Sequence, residues 1–282
     1  MAQLNVNFFS KTLMRQTAFT AVVPVDKFVF LPTGTPEPEK KPFKTLYLLH
    51  GIFGNCTDWM SGTRIQDYAN DHNLAVIMPS GDNAFYVDNP VTGNLYGEFI
   101  GRELVEFTRD LFPLSRKRED TFIGGLSMGG FGAVRNGLKY GDTFGYIGAL
   151  SAGFVLDIAL ASTNDEPIFF RRRSYYEAIF GDIDKMMDTD VNPRFIIEQR
   201  LAENKSIPSM YVCCGTEDFL IEPNRDFHKF LNDKGIEHTY VEGPGAHDWD
   251  YWGEYILKLI KWLPLGDAEK GVSSGNVKVE AE

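Results

Sequence analysis

Cysteine, basic charge and long apolar runs are scarce in this chain, and each scarcity removes a class of function. Only three cysteines occur in 282 residues, Cys56, Cys213 and Cys214. They show no metal-ligand spacing and cannot all pair, and the adjacent two fall inside an apolar run that reads as a buried strand. A reducing compartment is therefore expected, with no metal site and no cofactor built on thiolates. Lys and Arg number 28 against 39 Asp and Glu, a net charge of −11. Nucleic-acid phosphates and anionic membrane surfaces reward the opposite balance, so neither is expected as a partner. No window approaches the roughly 18 consecutive apolar residues of a membrane span, and the opening MAQLNVNFFSKTLMRQ lacks a basic segment followed by a long apolar one. A cytoplasmic protein is expected. The oligomeric state stays open, a homo-oligomer among the options.

What is present is a succession of short runs, apolar on both faces, at Thr45 to Leu49, Leu74 to Met78, Thr121 to Ile123, Tyr146 to Leu150, Met210 to Cys214 and Thr239 to Val241. Such runs suit parallel strands buried on both sides. Helical spacing separates them, as at Ile100, Leu104, Phe107 and Leu111, or at Phe227, Phe230 and Leu231 between Pro223 and Gly235. The alternation predicts an α/β fold with a mainly parallel sheet and helices on both faces. NVNFFS and FTAVVPV predict an antiparallel hairpin at one sheet edge, and residues 33–42 a surface loop. One domain is expected over residues 1–265, with a polar flexible tail at 266–282. The interval from Leu150 to Met210 exceeds what one helical crossover needs. An insert at about 153–206, carrying Phe169, Phe170, Tyr175, Tyr176 and Phe180, is expected as helices over the carboxyl edge of the sheet, with core packing of those rings as the alternative.

The chemistry concentrates in three places. Gly125-Leu126-Ser127-Met128-Gly129 is a G-x-S-x-G pattern after an apolar strand and before a helix-compatible run. A strand-turn-helix bend of that kind is so tight that small residues must flank the nucleophile, and Ser127 then projects from the sheet edge. A serine hydroxyl is a weak nucleophile at neutral pH, so it needs a base and a carboxylate to orient that base. The strand MYVCC runs into Gly215-Thr216-Glu217-Asp218, and TYVEG runs into Pro244-Gly245-Ala246-His247. Ser127, Asp218 and His247 follow the order of α/β-hydrolases, with Glu217 as the rival acid. Among the other histidines, His50 precedes a glycine in a loop, while His72, His228 and His238 suit solvated positions. An oxyanion needs N–H donors. One is expected from Met128 and one from the loop His50-Gly51-Ile52-Phe53-Gly54-Asn55, at Ile52 with Phe53 as the close alternative. That loop has neither G-x-G-x-x-G nor G-x-x-x-x-G-K-[ST], which disfavours nucleotide binding.

Four blocks, LLHGIFGNCTDW, GLSMGGFGAV, CGTEDFLIEPNRDFHKFL and GPGAHDWDYW, resemble in order and spacing the esterase D-like group of α/β-hydrolases. That group includes tributyrin esterases, S-formylglutathione hydrolases, feruloyl and acetylxylan esterases, and mycolyltransferases. The resemblance covers most of residues 1–263 and is nearest to the tributyrin-esterase type. It implies a serine carboxylesterase for short-chain or carbohydrate-linked acyl esters, a small-molecule or oligosaccharide substrate, a Ser127–His247–Asp218 triad, and no metal or organic cofactor. It also favours Asp218 over Glu217, from the spacing before Phe219 and Leu220. Phe131 stands where S-formylglutathione hydrolases usually carry a histidine, which weakens the thioesterase reading. Cys56 lies near a loop cysteine of those hydrolases and reads as a plain loop thiol. Phe53, Trp59 and Trp249 are the candidate walls of a substrate pocket, to which a feruloyl ester would also be suited. A hydrolase-fold binding module is the non-enzymatic alternative, disfavoured because nucleophile, base and acid are all present.

Overall fold

Strict alternation of half-buried and exposed residues in AQLNVNFFS makes Ala2–Ser10 (β1) an edge strand, with Leu4, Val6 and Phe8 turned to the core. It pairs antiparallel with Arg15–Val23 (β2) along its full length, Ala2 opposite Val23 and Ser10 opposite Arg15. The expected hairpin is there. The computed structural model describes residues 1–30, 41–268 and 271–272. The loop expected at 33–42 falls mostly outside these residues, as does most of the tail expected at 266–282. Of that tail, Val272 donates its N–H to the Phe28 carbonyl at 2.7 Å, so this short piece lies against the amino-terminal segment.

After the hairpin come Lys44–Leu49 (β3), the short helices Asp58–Gly62 (α1) and Ile65–Asp71 (α2), and Leu74–Pro79 (β4). A two-stranded ribbon, Asp88–Asn89 (β5) with Asn94–Leu95 (β6), leads into Tyr96–Glu98 (α3), which passes through a π-helical turn into Leu104–Leu111 (α4). Thr121–Leu126 (β7), Met128–Lys139 (α5) and Tyr146–Leu150 (β8) follow. The insert supplies Leu156–Ala161 (α6), Arg173–Phe180 (α7) and Pro193–Ala202 (α8) before Ser209–Gly215 (β9), Ile221–Asp233 (α9), Thr239–Gly243 (β10) and Trp249–Trp262 (α10). The eight-stranded sheet has the order β1-β2-β4-β3-β7-β8-β9-β10, and every pair from β4 to β10 is parallel.

Period-two alternation divides the core. In β3, Tyr47 and Leu49 face α4, α5 and α9, while Leu46 and Leu48 face α2 and α10. Full burial of each such side chain contributes about 1.5–3 kcal/mol, so two covered faces hold the sheet firmly. β7 runs three residues beyond the expected Thr121 to Ile123. Glycine is a poor strand former, so Gly124 and Gly125 fall outside the expected run, yet the close approach of neighbouring elements leaves no room for a side chain at Gly125. A Cβ on Gly125 would lie 2.5 Å from the Gly129 backbone, and one on Gly129 would lie 2.5 Å from the carbonyls of Leu49 and His50.

The insert divides its aromatic residues between two roles. Tyr176 and Phe180 are buried, Phe180 edge-on to Phe85 and Phe131 in the core. Phe169 is exposed, and Phe170 stands edge-on to Phe53 in the loop after β3, ring centroids 5.5 Å apart.

Candidate active site

Parallel strands all release their chain at the same sheet edge, so β3, β4, β7, β8, β9 and β10 deliver six loops to that edge. At the end of β7, Ser127 has φ 52° and ψ −119°, a backbone strain of about 1–3 kcal/mol for a residue with a side chain. Three hydrogen bonds hold it there. Its N–H donates to the Leu150 carbonyl (3.0 Å), and its carbonyl accepts from Phe131 (3.0 Å) and Gly153 (2.8 Å). The bend aims the hydroxyl away from the sheet at the amino-terminal end of the twelve-residue α5, where unpaired N–H groups favour negative charge.

His247 arrives on the loop after β10. Its Nδ1–H donates to Asp218 Oδ2 at 2.8 Å, which leaves Nε2 to accept from the Ser127 hydroxyl at 3.0 Å. The Asp218 carboxylate is fully buried. Burial alone pushes its pKa up, but hydrogen bonds from His247, the Leu220 N–H and the Ser151 hydroxyl outweigh that and hold it below the usual carboxylate range. Glu217, the rival acid, is exposed and accepts from the Gly245 N–H and the Thr216 hydroxyl, so it braces the histidine loop. The histidine loop packs closely on the end of β9, where a Cβ on Gly215 would meet the Gly245 carbonyl at 2.1 Å.

Two supporting residues carried no clear sequence signal. Ser151, at the end of β8, is fully buried with φ 46°. Its Oγ accepts from the Trp252 indole N–H at 3.2 Å, and its own proton is free for the Asp218 carboxylate. Cys214 also touches Ser151, and burial pushes its thiol up to about 12, so it stays uncharged. His50 is a buried strut. Its Nδ1–H donates to the Gly51 carbonyl (2.7 Å) while its Nε2 accepts from the Gly81 N–H (2.9 Å), so the geometry fixes one neutral tautomer.

The loop after β3 lies against Ser127, since a Cβ on Gly51 would be 3.5 Å from Ser127 Cβ. Within it the Phe53 N–H is spent on Asn83 Oδ1 (2.8 Å). The N–H groups of Ile52 and Met128 donate to no acceptor among the described residues. Of the three candidate wall residues, Phe53 is 64% exposed, beside Phe170. Trp59 is 1% exposed and donates its indole N–H to the Leu49 carbonyl (3.0 Å), a core position rather than an open wall. Trp249 packs over Gly62, edge-on to Trp59 and Trp252. Phe219, unassigned from sequence, lies on the His247 ring. Cys56 is half-buried, its N–H donating to Ser80 Oγ at 3.2 Å. No group of three or more His, Cys, Asp or Glu side chains among the described residues is placed to hold a metal ion.

A mainly parallel sheet covered by helices, with a strained serine where β7 turns into α5, defines an α/β-hydrolase. The esterase family model matches residues 24–263. An acetyl esterase of Caldicellulosiruptor saccharolyticus is 42% identical over 271 residues, 93% of this chain and 98% of that one. Among solved structures, the fluorophosphonate-binding serine hydrolase F of Staphylococcus aureus, with substrate bound, has a TM-score of 0.81 at 33% identity, covering 94% of this chain and 99% of its own. An S-formylglutathione hydrolase of the same organism has a TM-score of 0.78, also at 33% identity, with 94% and 99% covered. The chain belongs to this esterase family, within the esterase D-like α/β-hydrolases, and is a carboxylic ester hydrolase.

Proposed function

We propose that the protein hydrolyses short-chain acyl esters, acetyl esters of carbohydrates foremost, with Ser127 as nucleophile, His247 as base and Asp218 as its orienting acid. The observation that carries this reading is the unbroken line of hydrogen bonds, 3.0 Å from Ser127 Oγ to His247 Nε2 and 2.8 Å from Nδ1 to Asp218. Attack of Oγ on the ester carbonyl passes the serine proton to Nε2, and Asp218 stabilises the imidazolium. The N–H groups of Ile52 and Met128 receive the oxyanion. The imidazolium then protonates the departing alcohol oxygen, and water releases the acid from the acyl-enzyme by the same route. The acetyl preference is supported by the 42% identical relative that is an acetyl esterase. The deciding experiment is turnover of p-nitrophenyl esters from acetate to octanoate, with methyl ferulate, acetylated xylan fragments and S-formylglutathione alongside. Acetyl esters are expected to lead, and Ser127→Ala to lose about three or more orders of magnitude in turnover. Equal rates for both proteins would remove Ser127 from the reaction.

A further inference from the structure

Whatever ester enters such a site, its alcohol oxygen must come within hydrogen-bond reach of His247 Nε2, because that atom delivers the proton on which the alcohol departs. The alcohol therefore lies on the imidazole side of the nucleophile, and the acyl group extends away from it. One ring borders the imidazole on the open side. Phe219 is 73% exposed, with its centroid 4.6 Å from that of His247 and a tilt of 49°. From the protein side, the buried Trp252 meets the same imidazole edge-on at 4.9 Å.

The backbone on both sides of Phe219 is hydrogen-bonded. The Asp218 N–H donates to the Gly215 carbonyl (3.1 Å), Asp218 Oδ1 accepts from the Leu220 N–H (2.8 Å), and the Asp218 carbonyl accepts from the Ile221 N–H (3.0 Å). The turn that fixes the carboxylate thus fixes the backbone that carries the ring beside it. A large apolar side chain left this open gains little from the fold and presents a flat face to whatever docks there. The loop after β3 has its own exposed ring, Phe53, seated against Phe170 of the insert and not against the imidazole.

We infer that Phe219 is a specificity-determining residue for the alcohol half of the substrate, favouring esters whose alcohol carries a ring: a phenol, or a sugar that offers its C–H face. The inference rests on the Ser127–His247–Asp218 reading and adds to it which side of the ester this ring contacts. Stacking of this kind is worth up to about tenfold in kcat/KM.

The test compares wild type, Phe219→Ala and Phe219→Leu on acetates of one acyl group and different alcohols: ethyl acetate, phenyl acetate and a methyl xyloside monoacetate. Phe219→Ala is expected to lower kcat/KM about tenfold for the ring alcohols and less than about twofold for ethyl acetate. Phe219→Leu is expected to fall between the two. Deacylation, measured as the steady-state rate after a p-nitrophenyl acetate burst, is expected to stay unchanged because the alcohol has already left. Loss on phenyl acetate alone would narrow the class to phenols, and loss on the xyloside alone to sugars; either outcome supports the inference. Equal loss on all three acetates together with slower deacylation would overturn it, as the mark of a loosened His247, and so would no change on any substrate. Wild-type protein that cleaves none of them, or a Ser127→Ala variant as active as wild type, would defeat the esterase reading itself.

Discussion

The Ser151 hydroxyl is one of three donors that hold Asp218, beside His247 and the Leu220 N–H. Ser151 Oγ accepts from the Trp252 N–H and is left with one proton to donate, and the Asp218 carboxylate is the strongest acceptor it touches. Ser151→Ala removes that donor and leaves a buried indole N–H unpaired, at a cost of about 1–3 kcal/mol. The expected outcome is a lower urea midpoint and a fall of about tenfold in kcat/KM for p-nitrophenyl acetate. An unaltered kcat/KM in Ser151→Ala would mean that the Leu220 and His247 hydrogen bonds suffice to orient the carboxylate. The same scale separates the two rival acids. Asp218 is buried with its oxygens directed to His247 and Leu220, whereas its neighbour Glu217 turns outward to Gly245 and Thr216.

Among the elements, α5 does more than present a positive end to Ser127. Its far half carries Arg135, fully buried, whose guanidinium bonds Asp88 (3.3 Å), Asp190 (2.9 Å) and the Asp190 carbonyl (2.9 Å). Lys139 joins the same two carboxylates at 2.9 and 2.7 Å. This network ties α5 to the β5–β6 ribbon and to the segment between α7 and α8. Burial pushes both aspartates up, yet Arg135 and Lys139 outweigh it and hold both below the usual carboxylate range. Folded pKa values below unfolded ones mean that this stability is present at neutral pH and is lost as pH falls below about 4. Arg135→Met should cost about 3–5 kcal/mol in urea unfolding at pH 7, because it leaves the carboxylates one cation short, and less near pH 3. Asp190→Asn, at a half-exposed position, should cost less than Arg135→Met at pH 7. If Arg135→Met cost under about 1 kcal/mol, the tie between insert and α5 would have to come from Lys139 and apolar packing.

On the scale of the whole molecule, acid should destabilise the protein in two stages. His50 is buried, and burial lowers its pKa, so the neutral form belongs to the folded state. Its contribution is complete above the unfolded value of about 6.5 and is lost as pH falls below it, when a proton on Nε2 would oppose the Gly81 N–H. The buried carboxylates give way only below about 4. A melting temperature measured from pH 8 to 3 should be level above 7, decline from about 6.5 and drop again below 4, with the first decline reduced in His50→Gln. A level curve through pH 5 would remove His50 from the account. The sequence by itself determined the parallel sheet, because runs apolar on both faces have no other stable home. It also determined the order of Ser127, Asp218 and His247, because each follows an apolar strand. It ended the strand at Ile123, short of Gly124 to Leu126, since propensity does not register how closely Gly129 and Leu49 approach Gly125. Only the tertiary structure decided that Trp59 belongs to the core, that His50 is a buried strut, that Ser151 stands behind Asp218 and that Phe219 covers His247. The bonds from His247 span 29 and 120 positions of chain, and no local pattern encodes partners that only the order of strands in the sheet brings together.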